Sequence, residues 1–181
     1  VGSQQRVLSA QIRGGQARLV GGPRDSTGNE WDIVVVEAGP SQIVHPESGL
    51  NVWVAPEALK AAISAGTFDT DSYRNHPTAT DERDRPERNV DDKIGRVTQS
   101  RWDPSIRNSI DGKQYGGVVG RWTVFDEPIR ARLMAAHAKN VTDLYDFSIY
   151  GPAETEAKVI EGKRWEYLVR MPKASVDLVT D

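Results

Sequence analysis

Cysteine is absent from the 181 residues, which removes disulfide scaffolds, thiol nucleophiles and thiolate metal sites in one step. The same absence argues against a small stapled extracellular fold and suits a reducing compartment. No apolar run approaches the roughly 18 residues that a bilayer-spanning helix requires. The opening Val1-Gly2-Ser3-Gln4-Gln5-Arg6 has neither a basic region nor an apolar stretch, so no secretory signal is read there. Charge of one sign is also missing. With 23 basic against 26 acidic residues the net charge is -3, and the signs are mixed along the chain. A nucleic-acid partner would call for a basic stripe, and a membrane surface for a basic amphipathic helix; neither is present.

What is there suffices for one domain: 38% of residues are hydrophobic, enough to bury a core. Glycine and proline divide the chain into short segments that read mostly as strands. Trp31–Glu37 is a near-continuous β-branched run, the pattern of a strand covered on both faces. Val7–Ile12 and Gln16–Val20 are expected to pair around a Gly14-Gly15 turn. Val52–Val54 reads as an edge strand. Ile94–Trp102, Gly117–Phe125, Leu144–Tyr150, Ala157–Ile160, Arg164–Arg170 and Ser175–Thr180 complete the set, with a hairpin turn at Glu161-Gly162. Two helices are predicted. Pro56–Ala65 has proline at its start and Gly66 as its stop. Pro128–Lys139 follows Asp126 as cap, with an apolar stripe of Ile129, Leu133 and Ala136. The expected architecture is therefore mainly β with peripheral helices (α+β), a barrel or sandwich. The charged stretch Thr78–Asp92 has almost nothing to bury and is expected to be a mobile loop.

Without cysteine, a nucleophile must be a hydroxyl or a carboxylate, and a serine needs a base, usually histidine. Only three histidines exist. His45 lies in a Ser/Gly/Pro-rich connection and reads as an exposed loop residue. His137 follows Leu133 by one helical turn and reads as a core or boundary residue. His76, at the edge of the charged loop, stands where a rigid scaffold tends to hold catalytic groups. Among the serines, Ser148 sits inside a strand-like run. The period of two places Asp146, Ser148 and Tyr150 on one face, with Phe147 and Ile149 on the other. By itself that pattern equally describes a partly exposed strand position. Asp177 is flanked by apolar residues and, if buried, needs a partner: a histidine, a backbone donor or an arginine such as Arg170.

In order along the chain, several passages resemble the prohead (capsid maturation) proteases of tailed bacteriophages, which are similar in fold to the herpesvirus maturation proteases. Glu30–Val36 looks like their early core strand, and Asn51–Leu59 like the passage from an asparagine through bulky residues into a helix. Tyr73-Arg74-Asn75-His76 resembles the segment that carries the catalytic histidine. Lys93–Val97 resembles the strand that follows it, Asp146–Gly151 the nucleophile strand and Ser175–Thr180 the closing strand. The likeness runs from about residue 28 to the end. It departs from the family pattern at Asp146-Phe147, where many relatives have glycine ahead of the nucleophile, and in the length of the charged loop.

The resemblance implies a barrel, closed or partly open, and a serine endopeptidase with Ser148 as nucleophile, His76 as base and Asp177 as the third residue. It implies no cofactor and no metal. The implied substrates are capsid scaffold and coat proteins, and the chain itself, inside the assembling prohead in the host cytoplasm. Homo-oligomers are implied too, with the stripe of Pro128–Lys139 as a candidate surface unless it packs on its own barrel. On this reading residues 1–27 are an N-terminal segment, part tag or flexible, and 28–181 the protease domain. Two other readings stand beside it: a noncatalytic scaffolding or coat-binding protein on the same barrel, and a metal hydrolase built on His76 with Asp81, Asp84, Asp91 or Asp92. One histidine in an acidic loop suits zinc poorly.

Overall fold

β-branched and alternating segments decide the centre of the molecule. A computed structural model describes residues 7–78 and 88–179, so most of the predicted charged loop lies outside the described residues. The element order begins with β1 (Val7–Pro23), β2 (Glu30–Glu37), β3 (Gly39–Val44), β4 (Asn51–Val54), α1 (Pro56–Ser64) and β5 (Asp71–Tyr73). After a 3-10 turn at Val90–Asp92 come β6 (Lys93–Asp103), β7 (Gly117–Val124), α2 (Glu127–Ala138), β8 (Asp146–Ile160), β9 (Lys163–Arg170) and β10 (Ser175–Val179). The strands follow the order β3-β4-β9-β8-β1-β2-β7-β6-β5, and β10 adds to β8. The fold is mainly β with peripheral helices, as the sequence predicts.

The curl of this sheet matters most for function. β10 pairs antiparallel with β8 on one side. On the other, Arg74, just past β5, forms a parallel bridge to Leu178, and the Asn75 N–H donates to the Leu178 carbonyl at 2.8 Å. One end of the strand path is thereby brought back to its middle, making a partly open barrel. Side-chain hydroxyls reinforce the join: Thr67 Oγ1 donates to the Met171 carbonyl at 3.1 Å and Thr70 Oγ1 to the Ala174 carbonyl at 2.5 Å. Inside, Trp122 packs edge-on against Phe147, and its indole N–H donates to Ser72 Oγ at 3.0 Å. That bond satisfies a buried donor and holds the three-residue β5 in place.

Several expectations are corrected. Residues 7–23 are one continuous strand, not a hairpin. It pairs with both β8 and β2, so the predicted N-terminal segment contributes a full strand to the sheet. Gly14 (φ 130°) and Gly15 (φ 94°) form a bulge instead of a turn, with the pairing to β8 shifting between Gly14 and Ala17. The close approach of Ile43 to Gly14, 3.1 Å from where a Cβ would stand, adds a packing reason for glycine. Residues 52–54 are not an edge: β4 lies between β9 and the unpredicted β3. His45 is buried, its Nδ1 accepting from the backbone N–H of Glu47 at 3.2 Å. The apolar stripe Ile129, Leu133 and Ala136 of α2 is buried on its own barrel and is not a free surface for a second copy. The Glu161-Gly162 hairpin forms as read, both residues at positive φ (51° and 80°), the combination a two-residue turn of this hand demands.

Candidate active site

Ser148 lies on β8 between buried Phe147 and Ile149, which point into the core, while Ser148 turns to the opposite face and is 7% exposed. Asp177, on β10 between buried Val176 and Leu178, has no exposed surface. His76 follows β5 by three residues, and Pro77 after it disfavours helical backbone at its position. The turn that delivers it is unusual. Asn75 sits at φ 63°, a left-handed conformation that asparagine tolerates better than most residues, pinned by its N–H bond to Leu178.

These three residues, separated by 72 and 101 positions from His76, meet within hydrogen-bond distance. His76 Nε2 is 2.8 Å from Ser148 Oγ, and His76 Nδ1 is 2.7 Å from Asp177 Oδ2. A carboxylate only accepts, so Nδ1 carries the proton and Nε2 is left as acceptor for the serine hydroxyl. The imidazole packs at 5.4 Å from the Tyr150 ring, and its side chain is 10% exposed. The Gly14 carbonyl, at the β1 bulge, lies 3.1 Å from Ser148 Oγ and is a second acceptor for the same hydroxyl.

Asp177 is fully engaged. Oδ1 accepts from the Tyr73 backbone N–H at 3.2 Å, and Oδ2 accepts from Ser175 Oγ at 3.0 Å and from Arg88 Nη1 at 3.2 Å besides the imidazole. The arginine named as its alternative partner, Arg170, lies instead 3.7 Å from Glu154. Of these, Arg88 escaped the sequence reading. Ser175 was visible two residues from Asp177 on the same strand face. Arg88 was hidden among alternating charges, and nothing in the local pattern set it apart.

An open cleft of about 510 Å³ is lined by neighbours of the three residues, among them Tyr73, Pro77, Arg88, Tyr150 and Ser175. Ser148 and Tyr150 share a strand face, as do Asp177 and Ser175, so the cleft begins one side-chain repeat from the hydroxyl. Among the described residues no group of three or more His, Cys, Asp or Glu side chains is placed to hold an ion; Asp81 and Asp84, named in the metal reading, lie outside them. No described helix is long and apolar enough to cross a membrane.

No protein-family model matches this chain, and no curated protein is significantly similar to it. Among solved structures it is similar to the capsid assembly protease of bacteriophage T4. The identity is 14% and the TM-score 0.46, over 99% of this chain and 100% of that one.

Proposed function

We propose that this protein is a serine endopeptidase in which Ser148 is the nucleophile, His76 the general base and Asp177 the residue that orients the imidazole. The observation that carries the reading is the continuous relay from Asp177 Oδ2 through both ring nitrogens of His76 to Ser148 Oγ, at 2.7 and 2.8 Å. A serine hydroxyl needs such a base to be a useful nucleophile, and the base needs its other nitrogen held in one tautomer.

The chemistry follows from the atoms. His76 Nε2 takes the hydroxyl proton as Ser148 Oγ forms a bond to the scissile carbonyl carbon. The imidazolium, steadied by buried Asp177, gives that proton to the departing amine nitrogen as the peptide bond breaks. Water then enters, His76 takes one of its protons, and the ester to Ser148 is hydrolysed with return of the proton to the serine. The adjoining cleft offers room for an extended peptide. The ordered sequence resemblance to prohead proteases supports capsid scaffold and coat proteins as the substrates, inside the assembling capsid.

Two experiments test this. A serine-directed fluorophosphonate is expected to add one label, mapped to Ser148 by peptide mass spectrometry and lost in Ser148→Ala. Co-expression with the coat and scaffold proteins of its own assembly system is expected to give cleaved products only with the wild-type chain. Equal processing by Ser148→Ala would reject the assignment.

A further inference from the structure

The charged stretch contributes a residue whose contacts bind three parts of the site together. Arg88 Nη1 donates to Asp177 Oδ2 at 3.2 Å and to Ser175 Oγ at 3.1 Å, and Nη2 donates to the Asn75 carbonyl at 2.8 Å. Its guanidinium lies 4.0 Å from the centre of the Tyr73 ring and 5.7 Å from that of Tyr150. The side chain is 19% exposed, so these bonds are largely shielded from water. The backbone behind it is held too. The Asn89 side chain caps the 3-10 turn by accepting from the Asp91 N–H at 3.0 Å, and the Asp92 carbonyl accepts from the Arg74 N–H at 2.7 Å.

We propose that Arg88 is a positioning residue that sets the charge and geometry of the His76–Asp177 pair. The inference rests on the serine-peptidase reading for its consequences in catalysis, but its electrostatic core concerns the pair alone. A buried carboxylate beside a neutral imidazole is an uncompensated charge, and burying one is costly. The guanidinium supplies the compensation, and its planar fork places one arm on β10 and the other on the turn that carries His76. The same cation acts on the imidazole in the opposite sense. Arg88 shares Oδ2 with His76 and so opposes formation of an imidazolium there. His76 is faced by the Asp177 carboxylate from β10, by Arg88, and by the Tyr150 phenol from β8. Arg13 of β1 lies on that phenol ring at 5.3 Å. Of these, Arg88 is the cation in direct contact with the carboxylate that the imidazole uses.

The sign of the effect separates this role from simple docking of a loop. Removing the cation leaves the whole negative field of Asp177 on His76, so the imidazole is expected to take its proton at a higher pH. The measurement is a proton NMR titration of the histidine ring signals in wild-type protein, Arg88→Gln and Arg88→Lys, with His76 assigned by its loss in His76→Asn. Arg88→Gln is expected to raise the His76 midpoint by about one pH unit, a change of the size one nearby charge produces in a partly screened site. Arg88→Lys is expected to restore the midpoint, because the charge returns. It is not expected to restore full turnover, because an ammonium lacks the fork. In peptide cleavage the acid limb of kcat/KM should move up with the NMR midpoint in Arg88→Gln. A midpoint unmoved in folded Arg88→Gln, or moved equally in Arg88→Lys, overturns the inference even if the enzyme cleaves peptides. A shifted midpoint in a protein that cleaves nothing sustains it and rejects the peptidase reading instead.

Discussion

Ser148 and Asp177 are direct cross-strand partners in the antiparallel pairing of β8 with β10. Facing residues in such a pair stand side by side on one face, with Cβ atoms about 5 Å apart. The imidazole of His76 spans the space between their side chains from the end of a third strand. Two of the three groups are therefore placed by a backbone ladder, and only the histidine depends on a turn. A one-residue slip of β10 would turn Asp177 into the core and bring apolar neighbours to the site.

From this relationship the two replacements of Asp177 should behave differently. Asp177→Asn keeps the shape but is expected to lower kcat by about 10⁴, because an amide favours the wrong imidazole tautomer. Asp177→Ala should lose as much activity and in addition destabilise the fold by about 3 kcal/mol, since it strands the buried donors of Arg88, Ser175 and the Tyr73 backbone. Steady-state kinetics and urea unfolding, run on both variants, separate the effects.

Ser175 offers a gentler probe. Its hydroxyl donates one of several bonds to Asp177 Oδ2. Ser175→Ala is expected to reduce kcat by roughly tenfold, in proportion to one lost hydrogen bond of about 1–1.5 kcal/mol, with KM little changed. A loss as large as that of Asp177→Asn would mean Ser175 takes a direct part in catalysis.

Gly151 should tolerate no side chain. A Cβ there would stand 2.3 Å from the Lys173 carbonyl oxygen and 3.0 Å from the Ala174 Cα, backbone atoms that cannot rotate away. This close approach lets the chain enter β10 in register with β8. Gly151→Ala is expected to cost about 1–3 kcal/mol, lowering Tm by roughly 3–10 °C in calorimetry. Activity should fall further than stability alone explains, because Ser175 and Asp177 follow directly.

A pH-dependent contribution to stability is expected away from the site, where the Tyr167 hydroxyl donates to Glu57 and ties β9 to α1. That bond lowers the Glu57 carboxyl below its ordinary value of 4.5, while burial, followed by the bond itself, raises the Tyr167 phenol from 10.0 to about 12. A depressed folded carboxyl stabilises above its unfolded value and loses this as pH falls through the folded one. A raised phenol stabilises below 10.0 and loses this as pH climbs toward about 12. Tyr167→Phe should therefore reduce stability between these limits, by under about 1 kcal/mol at so accessible a pair. The difference from wild type should vanish in acid and in strong alkali, as read by denaturant midpoints across pH.

Much of the architecture was legible because it is local. The run Trp31–Glu37 predicted β2, the proline and the Gly66 stop bounded α1 to within a residue, and Glu161-Gly162 marked the turn from β8 to β9. Where reading failed, non-local packing had overruled a local sign. Gly14-Gly15 looks like a hairpin turn, yet pairing of the same segment with β8 and β2 keeps the chain running and makes it a bulge. His45 looks like a loop residue, yet it is enclosed, and its ring caps backbone N–H groups of its own turn.

For the site, composition and periodicity determined a short set of candidates: no thiol, three histidines, a serine on a polar strand face and an aspartate in an apolar strand. A sequence can name such groups because side-chain type and strand alternation are properties of a few neighbouring residues. That Ser148, His76 and Asp177 stand within 3 Å contacts, and that Arg88 joins them, was decided only by the tertiary structure. The reason is physical: the register of β10 on β8, the bridge from Arg74 to Leu178 and the bond from Arg88 to Asp177 each join residues tens of positions apart. Such joins are settled by the burial and pairing of the whole sheet at once, and no short window of residues contains them.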